Sequence, residues 1–149
     1  MSIQSIIRWF EIAKPEPTNQ DLVKQIIFHI EEFIEMLDAL NVKYIQDDLE
    51  LFQNSLMVIA DDPEMSDKFV TTFDKVALLD ACADQVVTST GIAVLAGMDF
   101  EPALAEVNRS NYTKFNTDGT PYIRPDGKIG KNPNTYQEPQ LEQFIGAAI

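Results

Sequence analysis

Apolar residues recur at three- and four-residue steps from Ser2 to Lys114, and that period predicts five helices and almost no sheet. Ser2 to Ala13 forms a short amphipathic helix, stopped by Pro15 and Pro17. Thr18 or Asn19 caps a second helix that runs to Leu40, with Leu22, Ile26, Ile30, Phe33, Leu37 and Leu40 as its apolar stripe. A third helix covers Ile45 to Ala60 and ends at Asp61-Asp62-Pro63. Ser66 caps a fourth, long helix reaching Ala96, with Gly97 as its stop. Asp99 caps a fifth, with Pro102 in its first turn, continuing to Lys114. The pattern then stops. Residues 116–139 hold four prolines, three asparagines and two Asp-Gly pairs, the composition of a turn-rich tail. A short hairpin within it and a last short helix from Glu138 to Ile145 are expected. The whole reads as one all-α domain, a four- to five-helix bundle with an irregular tail.

The fourth helix departs from the amphipathic pattern. From Val76 to Met98 its only charged residues are Asp80 and Asp84, four apart and on one face, with apolar or small residues on every other side. Such a helix is expected to be buried all round. It is too apolar for five helices in one chain to cover, which predicts an oligomer, a homodimer or homotetramer. No Lys or Arg occurs between Lys75 and Arg109. Two buried carboxylates without a local cation are protonated, or meet a basic or hydroxyl side chain from another element or subunit, or hold a metal ion.

A second acidic element favours the cation. The second helix carries Glu31, Glu32 and Glu35, with Asp38 one turn on. Taken alone, these are acids on the solvated face of an amphipathic helix. Taken with Asp80 and Asp84, they make a set of hard oxygen donors suited to magnesium or manganese. A di-iron bundle needs Glu-x-x-His pairs, and His29, the one histidine, has Ile26 three before it.

Composition narrows the classes further. At 149 residues the chain is one domain long, and a net charge of −13 disfavours nucleic acid and anionic membranes as partners. Cys82 has no second cysteine to pair with, and the N-terminus lacks the apolar core of a signal peptide. The apolar stretch from Val86 to Met98, interrupted by Thr88, Ser89, Thr90 and Gly91, is short for a bilayer span. A cytoplasmic protein is expected.

The acidic segments resemble those of the all-α nucleoside-triphosphate pyrophosphohydrolases of the MazG-type and dimeric-dUTPase superfamily. There a helix bearing E-E-x-x-E faces a later one bearing E-x-x-D. Glu31, Glu32 and Glu35 match the first motif, and Asp84 in ACADQVVTSTG matches the aspartate of the second. Ala81 stands where the second glutamate would fall, and Asp80, one turn before Asp84, points the same way. If Asp80 is instead the motif aspartate, Ala77 takes the glutamate position. WFEIAKPEPT and the run from GMDFEPALAEVNRSNYTKF through DGTPYIRPDGKIGKNPNTYQEPQL resemble the phosphoribosyl-ATP-pyrophosphohydrolase-like subgroup. Glu106, Arg109, Asn111, Lys114, Asp126, Gly127, Lys128, Lys131, Tyr136 and Pro139 fill its tail motif.

The resemblance implies hydrolysis of a nucleoside triphosphate to its monophosphate and pyrophosphate. Glu32, Glu35, Asp80 and Asp84 would hold magnesium, or manganese, and Glu31 would act as general base. Five cations against two acids between Arg109 and Lys131 leave a local excess of three positive charges, suited to a triphosphate. Lys114 and Lys131, with Asn111 as a neutral donor, are the preferred phosphate contacts, and Arg109, Lys128 and Tyr136 complete the substrate set. Trp9 and Phe10, with Phe28, are candidates to stack on the base, although Trp9 and Phe10 also suit core anchors of the first helix. The subgroup leans towards dUTP or dCTP. Two other readings stay open, a phosphoribosyl-ATP pyrophosphohydrolase and a catalytically inactive helical interaction module, which Ala81 favours.

Overall fold

The computed structural model describes residues 3–42, 44–125 and 128–146. Ser2, Asp126 and Gly127, which enter the sequence expectations, lie outside the described residues. Among these residues the secondary structure is all-α, with six helices and no strand: α1 (Ile3–Ala13), α2 (Asn19–Ala39), α3 (Gln46–Asp61), α4 (Pro63–Val70), α5 (Lys75–Leu95) and α6 (Phe100–Tyr112). A 3-10 turn at Glu142–Phe144 stands where a last short helix was expected. The tail hairpin is reduced to two isolated antiparallel bridges, Phe115 with Pro121 and Ile123 with Ile129.

Six helices replace the expected four or five because the long fourth helix is broken. Asp62 accepts hydrogen bonds from the backbone N–H groups of Glu64 and Met65, with Pro63 at the first helical position, so α4 starts there. Thr71 and Thr72 turn their hydroxyls back onto the carbonyls of Lys68 and Phe69, competing with the helical ladder. Asp74 then accepts from the N–H groups of Val76 and Ala77 and opens α5. Ser66 is no cap. It is fully buried within α4 and donates its hydroxyl to the Ile59 carbonyl at 2.8 Å.

The described residues form two compact units. The first runs from Glu16 to Leu78 and holds α2, α3, α4 and the first turn of α5. Thr18 and Asp21 form a capping box at the head of α2. At its foot Asn41 adopts a left-handed φ of 58°, and the Val42 N–H reaches the Leu37 carbonyl. The core of this unit is Val23, Ile27, Leu56 and Ala60, flanked by Ile26, Ile30, Met57, Ile59, Phe69 and Val70. Of the stripe expected on α2, Leu37 is buried and Ile26 and Ile30 pack against the core, but its deepest positions are Val23 and Ile27, which lie outside that stripe. Leu22, Phe33 and Leu40 are exposed, while Val23 and Ile27 are buried.

The second unit holds α1, the rest of α5, α6 and the tail. α1 is fastened to α6 by polar bonds as much as by apolar contact. The Trp9 indole N–H donates to the Asn111 carbonyl at 2.9 Å, the Tyr112 hydroxyl to the Ser5 carbonyl at 2.8 Å, and the Asn108 amide to the Ser5 hydroxyl at 2.9 Å. The Trp9 ring lies parallel to that of Phe115, centroids 5.5 Å apart.

α5 corrects an expectation. None of its 21 residues is buried, although its composition is apolar all round. Within its unit it packs against neither α1 nor α6. Apolar side chains spread evenly around a helix define no stripe, so nothing in the sequence directs it to one neighbour. It ends as expected: Gly97 takes a φ of 72°, and Met98 and Gly97 donate to the carbonyls of Ala93 and Val94.

Candidate functional site

The five carboxylates singled out from the sequence stand on two helices, one in each unit. Glu31, Glu32 and Glu35 lie in the second half of α2, which turns Val23, Ile27 and Leu37 into its core. At about 100° per residue, Glu31 and Glu35 fall on one flank of α2 and Glu32 on the side away from the core. All three are exposed. Asp38, next along the flank, accepts a 2.6 Å hydrogen bond from the Gln46 side chain and is already employed in joining α2 to α3.

Asp80 and Asp84 stand one turn apart on α5, and both are exposed instead of turned into a core. Among the described residues neither carboxylate makes a hydrogen bond or ion pair, and the same is true of Glu31 and Glu35. The donor chemistry of these groups fits a hard divalent ion: anionic oxygens, exposed to water, with no competing cation on their own helices within a turn. Among the described residues no three Asp, Glu, His or Cys side chains are already gathered as a metal cluster.

α5 is also, by length and composition, long and apolar enough to cross a membrane. The stretch judged from the sequence, Val86 to Met98, was shorter than the helix that forms. The two aspartates argue against a span, since a charged side chain near the bilayer centre costs about 2.5–3.5 kcal/mol on insertion scales.

The basic island is organised around α6 and the tail. The tail runs back along α6 as a strap, held by side chains at successive turns. The Thr135 hydroxyl lies 2.8 Å from the carbonyls of both Thr113 and Phe115. The Gln137 N–H donates to the Thr113 hydroxyl at 2.8 Å, and the Ser110 hydroxyl donates to the Gln137 carbonyl at 2.7 Å. Further along, the Gln140 N–H donates to Glu106 at 2.9 Å, and the Asp99 N–H to the Phe144 carbonyl at 2.8 Å. Asn132, 4% exposed, anchors the start of the strap by donating to the Asn116 side chain at 2.8 Å.

Arg109 belongs to this strap. Its Nε and Nη2 groups donate to the two oxygens of Glu106, and its remaining contacts are the Gln137 side chain and the Glu138 carbonyl. The Arg109 guanidinium and the Gln140 N–H together pull the Glu106 carboxyl down to a pKa of about 2, and the carboxylate in turn raises that of Arg109. Lys131 sits over the Tyr136 ring, 4.9 Å from its centroid. Lys114 and Lys128 are half-buried. Asn111 offers its carbonyl to Trp9, and its side-chain amide makes no hydrogen bond among the described residues.

Trp9 anchors α1, with its indole N–H occupied and one ring face on Phe115. Phe10 meets it edge-on at 5.1 Å and is 40% exposed. A groove of about 320 Å³ lies between α1 and α6, lined by Gln4, Ser5, Arg8 and Tyr112. It includes none of the carboxylates or island cations named above.

The strap residues Ser110, Thr113, Asn132, Thr135 and Gln137 were not singled out from the sequence. Their signal was the tail's own poverty in apolar residues. Backbone groups with neither ladder nor core must be satisfied by nearby hydroxyls and amides. No family model matches the chain, and no curated protein or solved structure matches it either.

Proposed function

We propose that this chain is a magnesium-dependent nucleoside-triphosphate pyrophosphohydrolase, acting on a pyrimidine deoxynucleotide such as dUTP or dCTP. The observation that carries the reading is the pair Asp80 and Asp84. They are the only charges in the body of a helix otherwise apolar all round, they share a face, and they have no hydrogen-bond or ion-pair partner among the described residues. A carboxylate pair without a structural task, in a chain with a second acidic helix, suits a cation.

Glu32, Glu35, Asp80 and Asp84 would hold magnesium, or manganese. A bound divalent ion would neutralise phosphate charge and acidify a neighbouring water. Glu31, on the flank of α2, would take the proton of the attacking water. The new bond forms between the water oxygen and the α-phosphorus, the bridging P–O bond breaks, and pyrophosphate leaves with that electron pair. Lys114, Lys128 and Lys131 would face the phosphates, with the Asn111 amide as a neutral donor.

The uncovered apolar surface of α5 supports a homo-oligomer, the second copy covering Leu79, Val87 and Val94, which are 72%, 68% and 61% exposed in the chain alone. Incubation with a panel of nucleotides and magnesium, scored by pyrophosphate release, tests the activity and separates dUTP or dCTP from phosphoribosyl-ATP. The exposed α5 and Ala81 favour a second reading, a helical interaction module without activity. Release from no nucleotide, with the fold confirmed by circular dichroism, would establish it.

A further inference from the structure

Arg109 stands in the tail motif among residues assigned to the substrate, yet its donors point elsewhere. Four hydrogen bonds leave the guanidinium: 2.7 and 2.8 Å to the two Glu106 oxygens, 3.0 Å to the Gln137 side chain and 3.3 Å to the Glu138 carbonyl. Glu106 spends its other capacity on the Gln140 N–H. One ion pair on α6 thus grips the strap at Gln137, Glu138 and Gln140. Ser110 and Thr113, on the following turn, grip Gln137 again.

What the strap carries is the candidate phosphate contact. Tyr136 immediately precedes the gripped residue Gln137, its N–H donates to the Asn132 carbonyl at 2.8 Å, and its ring lies under the Lys131 ammonium. Lys131 itself makes no ion pair among the described residues. Arg109 thus spends four of its five N–H donors on Glu106 and the strap, and Lys131 stands on the same tail a few residues before the gripped segment.

We propose that Arg109 is a positioning residue, not a phosphate ligand: with Glu106, Ser110 and Thr113 it fixes the strap on α6 and so sets where Lys131 and Tyr136 stand. This rests on the reading that the island meets phosphate. The planar guanidinium can reach both Glu106 oxygens and the strap together, and a lysine, with a point charge on a flexible stem, cannot.

The test combines Arg109→Lys, which keeps the charge, with Ser110→Ala, which removes a strap bond and no charge. Hydrogen exchange reads the amides of Gln137 and Gln140, and calorimetry reads binding of inorganic tripolyphosphate with magnesium to the full chain. Both variants should speed exchange and weaken binding by about three- to tenfold, the scale of one or two lost hydrogen bonds. Neither should weaken it further once Lys131→Ala is present. If Arg109→Lys weakens binding with exchange unchanged, or adds fully to Lys131→Ala, Arg109 is a direct ligand and the proposal fails. Faster exchange with unaltered binding also overturns it. If the unaltered protein binds no tripolyphosphate, the phosphate reading of the island falls and the positioning role falls with it, while exchange still reports whether the strap is held.

Discussion

Arg109 holds Glu106 with two nitrogens at once, Nε 2.7 Å from one carboxylate oxygen and Nη2 2.8 Å from the other. The pair is three residues apart on α6, where a helix brings side chains to the same face, and the Gln140 N–H closes on the carboxylate from the strap.

This arrangement predicts an acid-sensitive strap. The Glu106 carboxyl is lowered from 4.5 to about 2 in the folded chain, first by the Arg109 hydrogen bond and then by the Gln140 N–H. A depressed carboxyl contributes stability that is complete above its unfolded value and fades as the pH falls from about 4.5 through about 2. Pepsin cleavage near Phe144, scaled to a free peptide of the same sequence, should rise across that window. In Glu106→Gln it should already be high at the upper end and should change little. A wild-type strap equally protected at both ends would contradict the assignment.

On α2 the deepest core position, Ile27, lies outside the expected stripe, while Leu22 within that stripe is exposed. Ile27→Ala removes a buried side chain against Leu56 and Ala60 and should cost about 2–5 kcal/mol. Leu22→Ala, on the expected stripe but 38% exposed, should cost less than about 1 kcal/mol. Urea melts followed by circular dichroism separate the two, and equal losses would restore the stripe read from the sequence.

How far the sequence could be read depends on the kind of signal. The helix ends at Thr18, Asn41 and Gly97 are set by short-range chemistry; Gly97 was legible as a stop, and Thr18 as one of two candidate caps beside Asn19. The break between α4 and α5 was missed because the helical period continues across it. Only the Asp74 cap and the back-bonded threonines mark it, and each amounts to a single hydrogen bond or two. Asp80 and Asp84 were legible as an isolated pair, but not their exposure, since an all-round apolar helix specifies burial without naming a partner. Arg109 was legible as a motif residue, while its employment by the strap depends on Gln137, Glu138 and Gln140, some thirty positions away.

The break itself is testable. Asp74→Ala removes the side chain that accepts from the Val76 and Ala77 N–H groups and should destabilise the start of α5 by about 1 kcal/mol, the usual cost of a lost cap. Faster hydrogen exchange should be confined to the first turn of α5. If exchange is unaltered there, the helix runs through Thr71–Asp74 in solution.

Trp9 offers a test of anchor against base-stacking platform. Trp9→Phe keeps a ring on Phe115 but leaves the Asn111 carbonyl without its indole donor, so the second unit should lose about 1 kcal/mol. Binding of dUTP should be unaffected. A stability unchanged and an affinity lowered would instead make Trp9 a base contact.

The proposed metal donors are divided between α2 and α5. An ion bound only by the folded chain stabilises it in proportion to the logarithm of its concentration, by about 2.7 kcal/mol at a hundredfold excess over Kd. Magnesium should therefore raise the melting temperature, and a chelator should reverse the rise. Glu35→Gln and Asp84→Asn each remove one anionic donor, the first from α2 and the second from α5. Either should abolish the shift and the pyrophosphate release while leaving the helical content intact. Asp38→Asn, whose native carboxylate already accepts from Gln46, should retain both. The contrast matters because net charge alone would give a weaker, uniform response: in a chain of −13, any lost carboxylate relieves repulsion and divalent ions screen the rest. Three variants behaving alike would mean screening, and full turnover by Asp84→Asn at saturating magnesium would remove α5 from the site.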